Sequence, residues 1–317
     1  MEGLLAADTL ASMLRIATPL TLAALGGLLC QRAGVFNIAL EGFMLVGAFA
    51  SIAFVAAFGG SAWIGMLGAV AAGLLVAALF ALSMVRFKAN AIIAGIAVNL
   101  FALGMTAYLL RAVFGVQGRL HPANLHKLDP VALPGIDRVP FLGQVVSGQS
   151  LMTWLSIALV VATQVLLFRT RKGLEICAVG QSEDAARTAG IHPDAIRLQV
   201  VLASGALCGL AGFYLSTEMV SQFSENMVQG RGFTAFTAVV FGGAHPLAVW
   251  LVTLLFGLAD AVGIRIELAG TGIPPSIVKM FPFLLALLVL TVSSAAEQRR
   301  ARGRSGPKKA RARATAG

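Results

Sequence analysis

The stretch AGVFNIALEGFMLVGAF (Ala33–Phe49) opens a long apolar run, and it carries an amide and a carboxylate where that run begins. The chain has 317 residues, of which 58% are hydrophobic and only 12% are charged. Soluble domains carry about 25% charged residues. The apolar runs are long enough to cross a bilayer as helices, which takes about 20 residues each. Because they lack the alternation of barrel strands, the sequence predicts an all-α, polytopic membrane protein.

The apolar runs predict a helical bundle of about nine transmembrane or partly spanning helices. One run, 233–245, is too short for a full helical crossing, which favours a half-helix or a re-entrant segment. We place the candidate spans at 10–30, 37–57, 62–85, 91–111, 151–168, 200–219, 233–245, 247–265 and 274–293.

The distribution of Lys and Arg predicts the orientation, since cytoplasmic loops carry an excess of both. The segment 168–199 holds five of them, and residues 297–317 form a basic tail that we expect to be disordered and cytoplasmic. The transmembrane domain is then 1–296, with an extracytoplasmic loop at 112–150. That loop also carries basic residues and argues against this topology. A nucleic-acid-binding arm is the alternative for the tail, and we expect no nucleic-acid partner.

The sequence carries no motif of an enzyme. It has no G-x-x-x-x-G-K-[ST] stretch, so we expect no ATP bound through a P-loop. Its four histidines and three cysteines show neither a metal-ligand spacing nor a disulfide framework. We therefore predict no catalytic residue, cofactor or metal in this chain.

Two acids, Glu41 and Asp260, fall inside the predicted spans. A carboxylate facing lipid is costly, so each is expected to face the bundle interior, where it either fixes packing or lines a pathway. Asn37 and Glu41 lie one helical turn apart, and Asn99 offers a second amide. Our hypothesis is that Asn37, Glu41 and Asn99 approach a solute pathway.

Aromatic rings near these positions have two interpretations. They offer faces on which a planar solute could stack, or they belong to the core or the lipid-facing surface. The second interpretation is the commoner one. The rings are Phe36, Phe43 and Phe101.

The basic loop contains SEDAARTAGI (Ser182–Ile191), which is typical of a short amphipathic helix. Ser182 is a predicted N-cap, Gly190 ends the helix, and Pro193 prevents its resumption. Such a helix either docks in a groove of a cytoplasmic partner or is simply solvated. One face of this helix carries only small side chains, those of Ala185, Ala186 and Ala189, and we call it the small face. Gly173 and Gly180 are predicted to form the turns that precede the helix.

The stretch SGALCGLAG (Ser204–Gly212) places small residues on one helix face. Glycines at this spacing let helices approach closely, and a hinge is the alternative interpretation. The glycines are Gly205, Gly209 and Gly212.

Three stretches resemble the permease subunits of ABC importers that carry branched-chain amino acids, simple sugars and nucleosides. QRAGVFNIALEGFMLVGAF (Gln31–Phe49) resembles that family's signature, and GLEICAVGQSEDAARTAGI (Gly173–Ile191) resembles its cytoplasmic coupling motif. The segments Phe223–Gly257 and Ile273–Leu290 look like the purine-nucleoside and simple-sugar branch. The motif's usual Asn is Ser182 here, and Ser caps a helix about as well.

The resemblance implies a permease fold in a bacterial inner membrane, with ATP and Mg held by separate cytoplasmic ATPase subunits. It also implies a second permease subunit, related but different in sequence, and an extracytoplasmic solute-binding protein. The residues that the coupling motif implies for ATPase contact are Gly173, Gly180, Ser182, Ala185, Ala186, Gly190 and Ile191.

Three other functions remain open from the residues alone. A branched-chain amino acid permease would share the motifs of the same family. An ion-coupled secondary transporter would use acids such as Glu41 and Asp260, but it has no use for the capped helix. A membrane enzyme or assembly factor would need a convergent polar site, which the sequence does not suggest.

Overall fold

A computed structural model describes residues 7–122, 124–129 and 148–268, together with Met280, Leu284 and Thr291. The chain divides into two compact units, Met1–Val262 and Gly263–Gly317. The predicted tail 297–317 and nearly all of the predicted span 274–293 lie outside the described residues.

The described part of the chain is almost entirely helical, which confirms the all-α prediction. Seven of its helices are long and apolar enough to cross a membrane, if the α-helix at 193–213 is counted with its π-helical continuation Tyr214–Val220. Two short strands, β1 (Arg119–Leu120) and β2 (Phe223–Ser224), pair antiparallel. The helices are α1 (Ala7–Arg32), α2 (Leu40–Ala57), α3 (Ala62–Val85), α4 (Ala91–Phe114), α5 (Leu151–Arg169), α6 (Arg171–Gln181), α7 (Glu183–Thr188), α8 (Pro193–Phe213), α9 (Arg231–Phe241) and α10 (Pro246–Leu268).

Local sequence sets several helix boundaries. Asn90 caps α4 by accepting hydrogen bonds from the backbone N–H groups of Ile92 and Ile93, and Ser150 caps α5 in the same way through Met152. Gly115 ends α4 with a φ of 66°, a conformation that favours glycine. These caps explain why the observed helices begin and end close to the predicted spans.

Helix α8 lies at the centre of the bundle, where α1, α2 and α3 pack around it. Its Gly205 faces Gly73 of α3, and its Gly209 faces Ala69 of the same helix. Gly212 faces the backbone of α2. Contacts this close require residues without a Cβ, so these glycines lie where the packing interpretation predicts.

The bundle has two distinguishable ends. At one end, which we name the basic end, Arg32, Arg86 and Arg169 lie at the ends of α1, α3 and α5. Helices α6 and α7 also lie at the basic end. We name the opposite end, which holds β1 and β2, the loop end. Glu218 holds the connection between α4 and α5 at this end. Its carboxylate accepts hydrogen bonds from the Leu128 backbone N–H at 3.1 Å and from the Ser150 hydroxyl at 3.1 Å.

Candidate functional site

The segment from Ser221 to Ala244 crosses the bundle in two different conformations. Near the loop end, Phe223 of β2 packs on Phe49, with ring centroids 5.2 Å apart. The chain then descends without regular helix to Gly230 and continues as α9. At the basic end the Ala244 carbonyl accepts a hydrogen bond from Arg32 Nε at 2.7 Å. The short apolar run predicted at 233–245 therefore corresponds to α9, which is the helical half of a broken crossing.

The length of α9 places the break inside the bundle. Its 11 residues span about 16 Å, which is roughly half of a 30 Å hydrocarbon core. Non-helical backbone at that depth is tolerated only where protein buries it or where it lines a water-filled cavity. The irregular segment 225–230 is thus a place to look for a solute pathway.

Glu41 caps the broken helix. One carboxylate oxygen accepts from the Gly230 backbone N–H at 2.7 Å, and the other accepts from the Gly232 N–H at 2.7 Å. A carboxylate suits a helix N-terminus, where free N–H groups and the macrodipole present positive charge. Gly232 permits the contact, because a Cβ there would lie 2.5 Å from the Glu41 Cα.

A cavity of about 350 Å³ opens beside this cap, within the size range of small-molecule sites. It lies where α2, α4 and the broken crossing meet, and its wall is mostly apolar with a few polar groups. Its lining residues are Glu41, Gly42, Leu45, Ile96, Asn99, Leu100, Leu103, Asn226, Gln229, Gly230 and Phe233.

The structure separates the three residues of the pathway hypothesis. Asn99 lines the cavity with Glu41, and its amide bridges α4 to α2 by accepting from the Gly42 N–H at 2.8 Å and donating to the Ile38 carbonyl at 3.1 Å. Asn37 is buried elsewhere and donates to the Ser204 hydroxyl of α8 at 3.1 Å. Glu41 and Asn99 are therefore brought together at the cavity, whereas Asn37 joins α8.

The aromatic ring at the cavity is one that the sequence reasoning did not select. Phe43 is fully buried against Phe80, and Phe36 packs edge-on against Phe236. Phe101 is half exposed and is not among the lining residues. The ring that does line the cavity is Phe233.

Two polar residues of the cavity were also missed by the sequence reasoning. Asn226 and Gln229 lie in the irregular segment between β2 and α9, and both line the cavity. Their φ angles are 56° and 49°, in the left-handed region that residues with a Cβ rarely adopt. The nearby Gly230 signals a turn, but no local pattern shows that this turn lies within the bundle.

Asp260, the second candidate acid, lies in α10 and is half-buried. It is not among the residues that line the cavity. Within the described ranges, no group of three or more His, Cys, Asp or Glu side chains is placed to hold a metal ion.

The short helix predicted within Ser182–Ile191 is present as α7. The Ser182 hydroxyl caps it by accepting from the Ala185 N–H at 3.3 Å, and Gly190 follows it with a φ of 80°. Ala185 and Ala189 are exposed, whereas Ala186 is only 2% exposed. The small face is therefore divided, because Ala186 packs into its own chain and its neighbours face outward.

Three assignments around α7 require correction. Gly173 and Gly180 lie inside α6 and form no turns. Gly180 instead lets α6 approach the backbone of Gly34 closely, and Gly173 lies against the end of α5. Pro193 does not block a helix but occupies the first turn of α8, where its missing N–H costs nothing.

An ion-pair cluster joins α7 to the first turns of α8. Glu183 pairs with Arg187 at 2.8 Å and with Arg197 of α8 at 2.8 Å, and Arg187 also lies 3.7 Å from Asp194. Hydrogen bonds from Arg187 and then Arg197 hold the pKa of the Glu183 carboxyl below its usual range. These ion pairs connect α7 to the central helix of the bundle.

Comparison with known proteins identifies relatives along nearly the whole chain. A guanosine ABC transporter permease protein of Bacillus subtilis is 36% identical over 87% of this chain and 88% of its own length. A nucleoside ABC transporter permease protein of Lactococcus lactis is 33% identical, with coverage of 89% and 90%. A putative glucose ABC transporter permease protein of Haloferax volcanii is 30% identical, with coverage of 90% and 91%.

No solved structure matches the chain significantly. The family model described as branched-chain amino acid transport system, permease component, matches residues 9–290. That range includes every candidate span except the last residues of the final one. The family resemblance is thereby confirmed. The protein is a multi-pass membrane protein and a transport component of an ABC system. Members of its family associate with an ATPase and a solute-binding protein. The chain belongs to the family of branched-chain amino acid transport system permease components.

Proposed function

We propose that this chain is the membrane-spanning subunit of an ATP-driven importer of nucleosides, purine nucleosides in particular, or of simple sugars. The observation that carries the proposal is the cavity at the broken crossing, where Asn226, Gln229 and an irregular backbone supply polar groups inside an apolar wall. The relatives named for guanosine, nucleosides and glucose support the same class of solute. These solutes are polar and uncharged.

Glu41, which caps α9, makes the cavity better suited to an uncharged solute than to an amino acid. A free half-helix N-terminus inside a membrane attracts an anionic group such as a carboxylate. Glu41 already occupies that N-terminus, with both oxygens bonded to backbone N–H groups. It also adds negative charge beside the cavity, which disfavours a second carboxylate. A branched-chain amino acid is therefore the poorer fit.

The proposal also gives each end of the bundle a partner. The basic end, with α7, is proposed to face the cytoplasm and the ATPase subunits that hold ATP and Mg. The C-terminus would lie on the same side. The loop end then meets the solute-binding protein. The cavity opens beside α4, of whose most apolar stretch only 17% is buried, so we propose that a related second permease covers this side.

Transport in reconstituted vesicles tests this function. The chain is assembled with its ATPase, companion permease and binding protein, and uptake of labelled guanosine, glucose and leucine is measured with and without ATP. We expect ATP-dependent uptake of guanosine or glucose that survives a proton ionophore, and none of leucine. Uptake that needs an ion gradient and not ATP, or uptake of leucine alone, would overturn the proposal.

The division of the small face of α7 allows a sharp test of coupling. Ala185→Arg places a long side chain on the exposed face without disturbing the fold, so the complex should assemble poorly with the ATPase or lose at least tenfold of its stimulated ATPase activity. Ala186→Arg forces a charge into a buried position and should instead lower the melting temperature of the permease alone. Full stimulation in assembled Ala185→Arg complexes would show that α7 is not the coupler.

A further inference from the structure

The irregular half of the broken crossing holds two residues with left-handed backbone, Asn226 and Gln229, and both line the cavity. Most residues with a Cβ are disfavoured in this conformation by about 1–2 kcal/mol, although Asn adopts it more readily, and such conformations cluster at functional sites. Within the described ranges, only five residues other than glycine have a positive φ, and two of the five line this cavity. The five are Lys88, Ser221, Asn226, Gln229 and Ala244.

Most polar groups of the cavity are already engaged. Both Glu41 oxygens accept from backbone N–H groups, and the Asn99 amide bridges two helices. By contrast, the amides of Asn226 and Gln229 are exposed and have no hydrogen-bond partner among the residues that the structure describes. Each offers donors and an acceptor, so these two side chains are the groups available to a solute.

A ring face completes the set. Phe233 lies in the first turn of α9, is 47% exposed, and lines the same cavity as the two free amides. Stacking on an aromatic ring suits a planar heterocycle, which presents a π-face of its own. The opposite wall, formed by residues such as Leu100 and Leu103, is apolar.

We propose that Asn226, Gln229 and Phe233 form the solute-recognition site of this permease, and that its ligand is a neutral nucleoside. The base stacks on Phe233 while the two amides bond to polar edges of the base or to ribose hydroxyls. This inference rests on the proposed function and narrows its solute class from nucleosides and sugars to nucleosides. Few amides and a single ring also suit transport, since a solute held weakly can leave.

Glycine is the appropriate substitution for both amides, because it adopts a positive φ without strain. Asn226→Gly and Gln229→Gly therefore remove the side chain and keep the backbone path. Ser221→Gly is the matched control, since Ser221 has a φ of 61° in the same segment but does not line the cavity. Loss of one neutral hydrogen bond should lower guanosine uptake per assembled complex by about threefold to tenfold, and the control should transport normally.

Phe233→Leu separates ring stacking from simple apolar contact. Leu keeps an apolar side chain at the start of α9 but offers no π-face. The variant should lose about tenfold in guanosine uptake per assembled complex, measured against the wild type. ATPase stimulation by the loaded binding protein should stay near the wild-type value in the Ser221→Gly control, because Ser221 does not line the cavity.

Thiol protection gives a second measurement that does not depend on transport rates. In a Cys177→Ser background, where the remaining cysteines Cys30 and Cys208 are buried, Leu103→Cys introduces a thiol on the cavity wall. Guanosine with its binding protein and ATP should slow maleimide labelling at this position. It should leave Leu75→Cys, on the exposed face of α3, unaffected.

The outcomes separate this inference from the proposed function. If the wild-type complex takes up neither guanosine nor glucose, the proposed function fails. If it takes up guanosine but the two Gly variants and Phe233→Leu match the Ser221→Gly control, the recognition site is elsewhere and the inference fails. Equal labelling of Leu103→Cys with and without guanosine, in a complex that transports guanosine, would also overturn the inference.

Discussion

Replacing Glu41 with Ala should destabilise the N-terminus of α9 and prevent assembly of the permease. The substitution leaves the N–H groups of Gly230 and Gly232 without partners inside the bundle, where little water can replace the carboxylate. Two charge-assisted hydrogen bonds at about 1.5–3 kcal/mol each imply a loss of roughly 3–6 kcal/mol. Thermal unfolding of the purified protein in detergent, followed by tryptophan fluorescence, measures this loss.

A graded series identifies capping as the cause. Glu41→Gln keeps one carbonyl oxygen in place and should lose about half as much as Glu41→Ala. Glu225→Gln is the matched control, because Glu225 lies in the loop, accepts from the Gly118 N–H at 3.2 Å and pairs with Arg111 at 3.6 Å. Its ion pair is exposed, so its removal should cost less than about 1 kcal/mol. If Glu41→Ala assembles normally but fails to transport, the carboxylate acts on the solute and not on the helix.

Replacing Gly209 with Ala should separate α3 from α8. A Cβ at Gly209 would lie 2.5 Å from the Ala69 carbonyl oxygen, and a backbone atom cannot move aside as a flexible side chain can. Overpacking of this kind costs about 1–3 kcal/mol even where side chains adapt, so we expect about 3 kcal/mol or more. The expected result is a lower melting temperature and less membrane-inserted protein.

Gly104→Ala is the control for the effect of a methyl group alone. Gly104 lies in α4, and a Cβ there would meet nothing within 4 Å. Ala is the better helix former, so this variant should be as stable as the wild type or up to about 1 kcal/mol more stable. Equal melting temperatures for the two variants would contradict the close packing of α3 on α8.

The spans could be predicted from sequence because the bilayer imposes its requirement locally. Every lipid-exposed backbone group must find its partner within its own helix, so an apolar run such as 62–85 is a helix whatever its neighbours are. The same local logic identified the Ser182 cap, and it recognised that the run 233–245 is too short to cross.

The candidate site was only partly accessible from sequence. Polar residues inside apolar runs are visible in a linear sequence, and two of the three selected residues, Glu41 and Asn99, do line the cavity. The third, Asn37, points at Ser204, which lies 167 residues further along the chain. Residue type shows that an amide in a membrane needs a partner, but it does not show which helix supplies that partner.

The sequence by itself determined the class of protein, the positions of the long apolar helices that the structure describes, and the capped helix at the basic end. Only the tertiary structure decided that Glu41 caps a half-helix 189 residues away, that Ala186 faces inward, and that Asn226, Gln229 and Phe233 share a cavity. The physical reason is that hydropathy and capping depend on neighbours within one or two turns, whereas the surroundings of a side chain depend on how distant helices pack.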